Sequence, residues 1–333
     1  MSEVYQMSYF SNEKEVHRVT TELGLFDRPG FPTFDDFVSN WLPDEMVRLL
    51  FSMGGGVQTA EVTATIESLY NMFIFFKAGA PKYVISAELI QALRDTEIPN
   101  FKIDALKLPF EGIRIDIPKG TFAPPADLVE SVYVTNVEHD RFRVIFPHGE
   151  WCNFVNMIVD DENKTIHQVI EDTRLNMQDV LAPEFVKKDI ELKSQYKDYF
   201  TTDVFRFAIN TVLYITCPDA DMYRDRTEEY ALYQQLQGLK KQNKRKILEK
   251  EYHKAKESIR YIVGAGFKMD REYTAKLTDN GHKWVLTNRL RVAGHWRQQP
   301  HGPKRSLVKQ IFIKPYWKGP TYAEMVQRGY VVK

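Results

Sequence analysis

Apolar and polar residues alternate in the middle of the chain, as they do in strands that bury one face. Isoleucine occupies every second position of Ile113–Ile117, and charged side chains fill the positions between them. Similar segments, with turn residues between them, follow at Glu130–Val137, Phe142–Phe146 and Asn153–Val159. Because consecutive strands with tight connections pair side by side, we predict an antiparallel meander.

Helical spacing of apolar residues flanks this strand-rich region on both sides. Ser86 follows a short predicted strand, Lys82–Ile85, and is placed to cap a helix at Ala87–Arg94. Two further predicted helices, rich in aromatic and aliphatic residues, are Thr59–Ala78 and Thr202–Ile215. The predicted fold class is therefore α+β, with an antiparallel mixed sheet flanked by helices.

A stripe of apolar residues at helical spacing predicts one long, charged amphipathic helix over Thr227–Val263. The stripe skips at Asn243 and resumes at Leu248. We therefore divide the chain into a helical and strand-rich core over residues 1–223, the long-helix region over 224–266, and a basic C-terminal hairpin segment packed on the core over 267–333.

Charge is distributed unevenly along the chain. Lys and Arg number 45, as do Asp and Glu, so the formal net charge is +0. Residues 281–333 nevertheless hold 11 Lys and Arg against a single acid, Glu324, which gives this segment a formal charge of +10. Such asymmetry indicates a face that meets a polyanion. The alternative is a basic tail that the protein's own acidic surface neutralises.

The basic C-terminal segment interleaves cations with aromatic residues. Two predicted strands, Trp284–Val292 and Ser306–Lys314, flank a loop rich in Gly and Pro. Cations contact phosphates and aromatic faces stack on unpaired bases, which favours binding of single-stranded RNA. The candidate RNA-binding residues are Arg289, Arg291, His295, Trp296, Arg297, Lys304, Arg305, Lys309 and Trp317. The alternative is a hairpin whose Trp296 and Trp317 only pack.

Catalysis by the same segment is a further hypothesis. His295 and His301, with Lys304 or Arg305, could act as an acid–base pair that cleaves RNA without a metal. A second basic cluster, Lys240–Lys246, lies within the predicted long helix. It is interpreted either as a solvated helix face or as a face that contacts phosphates.

Several classes of protein are excluded by what the sequence lacks. The longest apolar run, Met72–Phe76, is far shorter than the ~18 residues of a membrane-spanning helix. The first residues do not resemble a signal peptide. Cys152 and Cys217 are isolated, which favours a reducing compartment such as the cytoplasm. The chain contains no zinc-binding or phosphate-loop motif in its proper context, so we expect no metal and no cofactor.

The stretch Gly294-His295-Trp296, with its flanking arginines and the later Trp317, resembles the C-terminal signature of a protein family of phages and plasmids. The similarity extends to segments throughout the chain, namely Thr65–Tyr70, Tyr83–Ile90, Leu108-Pro109, Ile115–Ile117 and Cys217–Asp219. The described member of that family is a type V-A anti-CRISPR protein that suppresses biogenesis of the Cas effector nuclease.

This resemblance implies recognition of the N-terminal segment of a target protein during its translation, followed by degradation of the target's mRNA. The expected partners are a peptide segment of a host or defence protein, and RNA or the ribosome, in the cytoplasm of a bacterial host cell. We expect the peptide near Ile113, Ile115 and Ile117, where it could add to the edge of a sheet. The remaining hypothesis is a plain protein-binding inhibitor whose basic tail docks on an acidic partner.

Overall fold

A computed structural model describes residues 13–44, 46–48, 60–122, 129–138, 141–148, 151–172, 203–239, 242–268, 289–318 and 325–326. At its centre is a sheet of seven strands. These strands are β1 (Lys82–Ile85), β2 (Gly112–Asp116), β3 (Ser131–Glu138), β4 (Arg141–His148), β5 (Trp151–Ile158), β6 (Met222–Arg224) and β7 (Arg260–Val263). Their order across the sheet is β5-β4-β3-β2-β1-β7-β6.

The predicted antiparallel meander is confirmed for half of this sheet. Strands β2 to β5 pair antiparallel in chain order, and their bounds lie within two residues of the predicted ones. The other half was not predicted. Strand β1 is parallel to both of its neighbours, β2 and β7, while β6 is antiparallel to β7. The sheet is therefore mixed.

Seven α-helices of seven or more residues lie in the described part of the chain. They are α1 (Glu13–Glu22), α2 (Ala60–Lys77), α3 (Ala87–Arg94), α4 (166–172), α5 (Asp203–Ile215), α6 (Thr227–Gly238) and α7 (Gln242–Glu257). Among these described helices, none has the length and apolar character needed to cross a membrane.

The alternating side chains of the strands build one core on each face of the sheet. Ile113 and Ile115 of β2 are fully buried in a cluster with residues of α3 and α5. On the opposite face, Tyr133 of β3 and Ile145 of β4 are buried against α1 and α2. This period-2 division follows from the pleat of the strands. It leaves the sheet sandwiched between two helical layers.

Helix α3 begins and ends where the sequence predicts. The Ser86 side chain accepts a hydrogen bond from the Leu89 backbone N–H, which satisfies one of the unpaired donors of the first turn. Leu89, Ile90 and Leu93 are buried, and helix α5 packs against this side of α3. The predicted helix over Thr202–Ile215 is likewise confirmed as α5, whose bounds differ by one residue.

The prediction of one long helix over Thr227–Val263 is wrong. The chain forms two helices, α6 and α7, which pack on each other as a helical hairpin, and residues after Ile259 form strand β7. Gly238, a poor helix former, ends α6 close to the point where the apolar stripe skips. The aromatic and β-branched residues Tyr261–Val263 favour a strand. We refer to residues 227–257 as the helical arm.

The predicted arrangement of the C-terminal strands also needs correction. The segment expected as a loop is itself a strand, β9 (His295–His301), which pairs antiparallel with β10 (Leu307–Ile313). We refer to residues 295–313 as the β-hairpin. Strand β8 (Arg289–Val292) instead pairs with β11 (Tyr316–Lys318) and β12 (Met325–Val326) in a separate sheet. The first part of the predicted strand, 284–288, lies outside the described residues.

Candidate nucleic-acid interface

The base of the β-hairpin is fixed to the core by the indole of Trp296. This side chain is only 8% exposed, and its Nε1–H donates a 2.9 Å hydrogen bond to Oδ1 of Asn210 on α5. The Asn210 side-chain amide in turn donates to the backbone carbonyls of Leu93 and Thr96, at 3.1 and 2.7 Å. Trp296 is therefore tied through one buried amide to both α5 and the end of α3.

Ring packing and a close backbone approach complete this anchor. Phe312 lies opposite Trp296 in the strand register, with ring centroids 5.0 Å apart, and its ring is nearly perpendicular to that of Tyr214 of α5, with centroids 5.8 Å apart. A Cβ atom on Gly294 would lie 2.7 Å from the Thr96 hydroxyl and 2.9 Å from the Phe312 ring. No side chain fits at such distances. Docking of the hairpin thus explains Gly294 and Trp296 of the Gly294-His295-Trp296 signature, whereas His295 between them is exposed.

Strand β10 contributes polar contacts to the same side of α5. The Gln310 side chain donates to the Leu213 carbonyl at 3.4 Å, and the Cys217 thiol donates to the Gln310 carbonyl at 3.7 Å. Burial raises the pKa of the Cys217 thiol to about 11, which keeps the donor protonated at neutral pH. Beside them, the Lys309 ammonium lies 3.0 Å from the Asp219 carboxylate, so this cation is already partnered within the protein.

The outer face of the β-hairpin carries cations and imidazoles. Side chains two positions apart on a strand share a face, so His295, Arg297 and His301 lie opposite Trp296. All three are exposed, whereas Trp296 is buried. The structure therefore separates the candidate RNA-binding residues of β9 into an anchoring residue and an exposed row. Trp296 offers no open face on which a base could stack.

The far end of the β-hairpin projects from the protein. Every residue from 300 to 308 is exposed, including the apolar Leu307 and Val308 at 53% and 59%. Lys304 and Arg305 form the turn with positive φ angles of 52° and 59°. A left-handed conformation costs residues other than Gly roughly 1–2 kcal/mol each. The turn nevertheless places these two exposed cations side by side at the tip.

The two histidines of the ribonuclease hypothesis are not brought together. His295 and His301 lie on the same face of β9 but six residues apart, which corresponds to about 20 Å along a strand. An acid and a base must both reach the same phosphodiester group by hydrogen bonds or a single water. The two imidazoles therefore do not fit the cleavage of a single phosphodiester bond. The other two residues of the ribonuclease hypothesis, Lys304 and Arg305, follow His301 by three and four positions.

The remaining candidate RNA-binding residues lie in the other C-terminal sheet. Arg289 and Arg291 belong to β8, and the backbone of Arg291 pairs with that of Trp317 in β11. The register thus places one of these arginines beside the second tryptophan of the family signature. They do not belong to the β-hairpin that carries Arg297, Lys304 and Arg305.

The isoleucines near which a peptide was expected are not accessible. Ile113 and Ile115 are fully buried, and Ile117 is 4% exposed. Strand β2 is paired on both sides, by β1 and by β3. An added strand needs unpaired backbone groups at a sheet edge. Addition of a peptide to the edge of β2 therefore does not fit the structure.

A cleft of about 310 Å³ lies immediately beyond Ile117. Its walls are Ala87, Ile90, Gln91, Arg94 and Asp95 of helix α3 and the turn after it, with Pro118 and Thr121 of the loop after β2. Arg94 holds the two walls together by donating a 2.6 Å hydrogen bond to the Thr121 carbonyl. The cleft follows the carboxyl ends of the parallel strands β1 and β2, which is a common position for ligand sites in such sheets.

A model of the "AcrVA2-like: Anti-CRISPR type V subtype A2 family" matches residues 83–320, more than two thirds of the chain. The chain belongs to this family. The resemblance inferred from the sequence is thereby confirmed. Among solved structures, one described as "Crystal structure of AcrVA2" is similar, with a TM-score of 0.44 and 13% identity over 93% of each chain. No curated protein matches the sequence.

The region matched by the AcrVA2-like family contains both candidate surfaces. It begins within β1, next to the cleft, and continues past β11, so it includes the helical arm and the β-hairpin. The anchoring residues Asn210 and Trp296 both lie within it. Sequence analysis identified the basic segment but missed the cleft, because the two walls of the cleft are more than twenty residues apart and carry no shared motif.

Proposed function

We propose that the protein is a counter-defence regulator. It recognises a peptide segment of a specific target protein as that protein is translated, and lowers its expression by engaging RNA or the ribosome. The observation that carries this proposal is the β-hairpin, whose base is fixed in the core and whose cationic tip projects beyond it. Membership of an anti-CRISPR family supports the counter-defence role.

The cations of the β-hairpin are available to a partner. Arg297, Lys304 and Arg305 are exposed, and none of them forms an ion pair within the described part of the chain. Lys309, which pairs with Asp219, contributes less. Exposed cations that are not neutralised by the protein gain free energy when they release counterions from a polyanion. RNA is the polyanion that translation presents.

The cleft beyond β2 supports the peptide half of the proposal. It combines apolar walls at Ile90 and Pro118 with the polar groups of Gln91 and Asp95, as a site for a short peptide segment would. The cleft is next to Ile117, one of the three isoleucines near which the sequence analysis expects the peptide. A cross-linking amino acid introduced at Gln91 should capture nascent peptide in ribosome preparations from the host, whereas the same group at Lys107, on an exposed position elsewhere, should not.

A filter-binding titration with single-stranded RNA at several salt concentrations tests the RNA half. The variant Arg297→Ala, Lys304→Ala, Arg305→Ala should bind all sequences more weakly and flatten the slope of log affinity against log salt by about 2 units. The matched control removes three exposed lysines outside the β-hairpin, as Lys102→Ala, Lys107→Ala, Lys119→Ala, and should keep the wild-type slope.

One observation favours a second candidate function. Leu307 and Val308 are exposed beside the basic tip, and exposed apolar residues are more typical of a protein interface than of a phosphate-binding surface. If the wild-type protein fails to bind RNA even at low salt, a plain protein-binding inhibitor that docks its hairpin on an acidic partner replaces the RNA proposal. If the triple variant binds like wild type, the site is assigned to the wrong residues.

A further inference from the structure

The helical arm projects from the edge of the central sheet. It is inserted between β6 and β7, and helices α6 and α7 pack mainly on each other. In the described part of the stretch from Tyr223 to Ile262, no residue is buried. The arm therefore contributes almost nothing to the hydrophobic core, although it comprises about a tenth of the chain. A structure of this size that does not stabilise the core indicates a surface for a partner.

Three lysines form a straight row along the outer face of α7. Leu248, Tyr252 and Ala255 are half-buried and define the side of α7 that packs on α6. Lys246, Lys250 and Lys254 are exposed and lie on the opposite side, because residues four apart share a helix face. The first and last of these lysines are eight positions apart, which is about 12 Å along the helix, with one charge at about every 6 Å.

This row is unfavourable in the isolated protein. Like charges four residues apart on a helix repel each other, and here two such pairs follow in succession. Glu257, exposed on the same face three residues after Lys254, offsets part of this repulsion at one end of the row. Among the described residues, none of the three lysines has a carboxylate partner, although Arg245 pairs with Glu249 on the adjoining face. A bound polyanion would neutralise the row and remove the repulsion. Lys244 and Arg245, both exposed in the first turn of α7, add to the same charge.

We propose that the outer face of α7 binds the phosphate backbone of double-stranded RNA. Regular spacing along a rigid helix suits the regular rows of phosphates on a duplex, which proteins recognise mainly by shape and backbone contacts. Lysine is depleted from protein–protein interfaces, so a row of three argues against a protein partner. The choice of RNA over DNA rests on the proposed function, in which the β-hairpin engages RNA near the ribosome.

The test is a salt titration of the full-length protein with a blunt RNA duplex. The variant Lys246→Gln, Lys250→Gln, Lys254→Gln should bind the duplex at least about tenfold more weakly than wild type. It should also flatten the slope of log affinity against log salt by about 2–3 units. The charge-conserving variant with three arginines should keep both affinity and slope. The control Lys102→Gln, Lys107→Gln, Lys119→Gln, which removes the same net charge from other exposed positions, should bind like wild type.

The outcomes separate this inference from the proposed function. Wild-type protein that binds single-stranded RNA but no RNA duplex overturns the role of α7 and leaves the role of the β-hairpin intact. Wild-type protein that binds the duplex while the glutamine variant matches it also overturns the role of α7. Preference for a DNA duplex of the same sequence overturns the choice of RNA. Binding by α7 is supported if the variant Arg297→Ala, Lys304→Ala, Arg305→Ala still binds the RNA duplex and the glutamine variant does not.

Discussion

The β-hairpin and the helical arm both carry exposed cations away from the core, but they are attached differently. The β-hairpin is fixed by side chains, because Trp296 and Phe312 are packed against α5 and a buried hydrogen bond holds the indole. The arm is attached by its backbone, through the strands β6 and β7 at its two ends. Changes at the base of the β-hairpin should therefore affect the whole fold, whereas the arm should behave as a separable insertion.

Trp296→Ala should have the largest effect. Truncation of a buried tryptophan typically destabilises a protein by about 3–5 kcal/mol, and here it also removes the donor to Asn210. Urea unfolding should show this loss. Trp296→Phe is the matched control, because it keeps most of the packing and should lose only about 1–3 kcal/mol from the unsatisfied amide. If Trp296→Ala instead keeps the wild-type free energy of unfolding but binds RNA more weakly, the indole contacts the RNA directly.

Gly294→Ala should destabilise the protein by about 1–3 kcal/mol, which is typical of overpacking. The added methyl group would clash with the Thr96 hydroxyl and the Phe312 ring unless the strand shifts. The loss should appear as a lower urea midpoint with an unchanged slope. Gly302→Ala is not a suitable control, because Gly302 has a positive φ angle and alanine there would add backbone strain. Thr96→Ala should partly rescue Gly294→Ala, and absence of any rescue would refute the proposed clash.

Removal of the helical arm should change the free energy of unfolding by less than about 1 kcal/mol, since none of its described side chains is buried. Residues 226–257 can be replaced by Gly-Asn-Gly, because Asp225 and Arg260 already face each other across the β6–β7 pair. Ser258 and Ile259 stay, since the Ile259 carbonyl accepts a hydrogen bond from Lys82. Thermal unfolding monitored by near-UV circular dichroism would measure the change. A failure to fold would show that the arm is part of the core.

His301→Ala and Arg305→Ala should have the smallest effects, below about 0.5 kcal/mol each, because both side chains are exposed at the tip. Thermal unfolding provides the measurement, with Trp296→Ala as the destabilised reference. Arg305→Gly should be neutral or slightly stabilising, since glycine accepts the positive φ at this position without strain. A marked drop in melting temperature for either alanine variant would show that the tip is part of the folded core.

Local signals in the sequence predicted the elements that depend on local physics. The Ser86 cap, the alternation through Ile113–Ile117 and the apolar helix α5 all lie where the sequence placed them. The parallel pairs of β1 were not predicted, because residues 82–85 meet strands that are about 30 and about 180 positions away. The break in the long helix did leave a signal, in Gly238 and in the skipped position Asn243, but the continuing charge pattern masked it.

The β-hairpin shows why the candidate site was predicted only in part. Exposure of Arg297, Lys304 and Arg305 follows from their charge, and the sequence places them correctly on the surface. The role of Trp296 depends on Asn210, which is 86 residues earlier. The residues next to Trp296 in the sequence are the same whether its ring stacks on a base or is buried in the core. The sequence alone therefore could not distinguish these two roles.

The hydrogen bonds of Asn210 have a thermodynamic consequence. This one amide contacts Trp296 of the β-hairpin and the backbone of Leu93 and Thr96, and the residues between the last two, Arg94 and Asp95, line the cleft. A ligand in the cleft that displaced this turn of α3 would disturb the same amide that holds the indole of the hairpin. Coupling of this kind is reciprocal. If the hairpin binds RNA and the cleft binds a peptide, as proposed, any factor by which the peptide changes the affinity for RNA is also the factor by which RNA changes the affinity for the peptide.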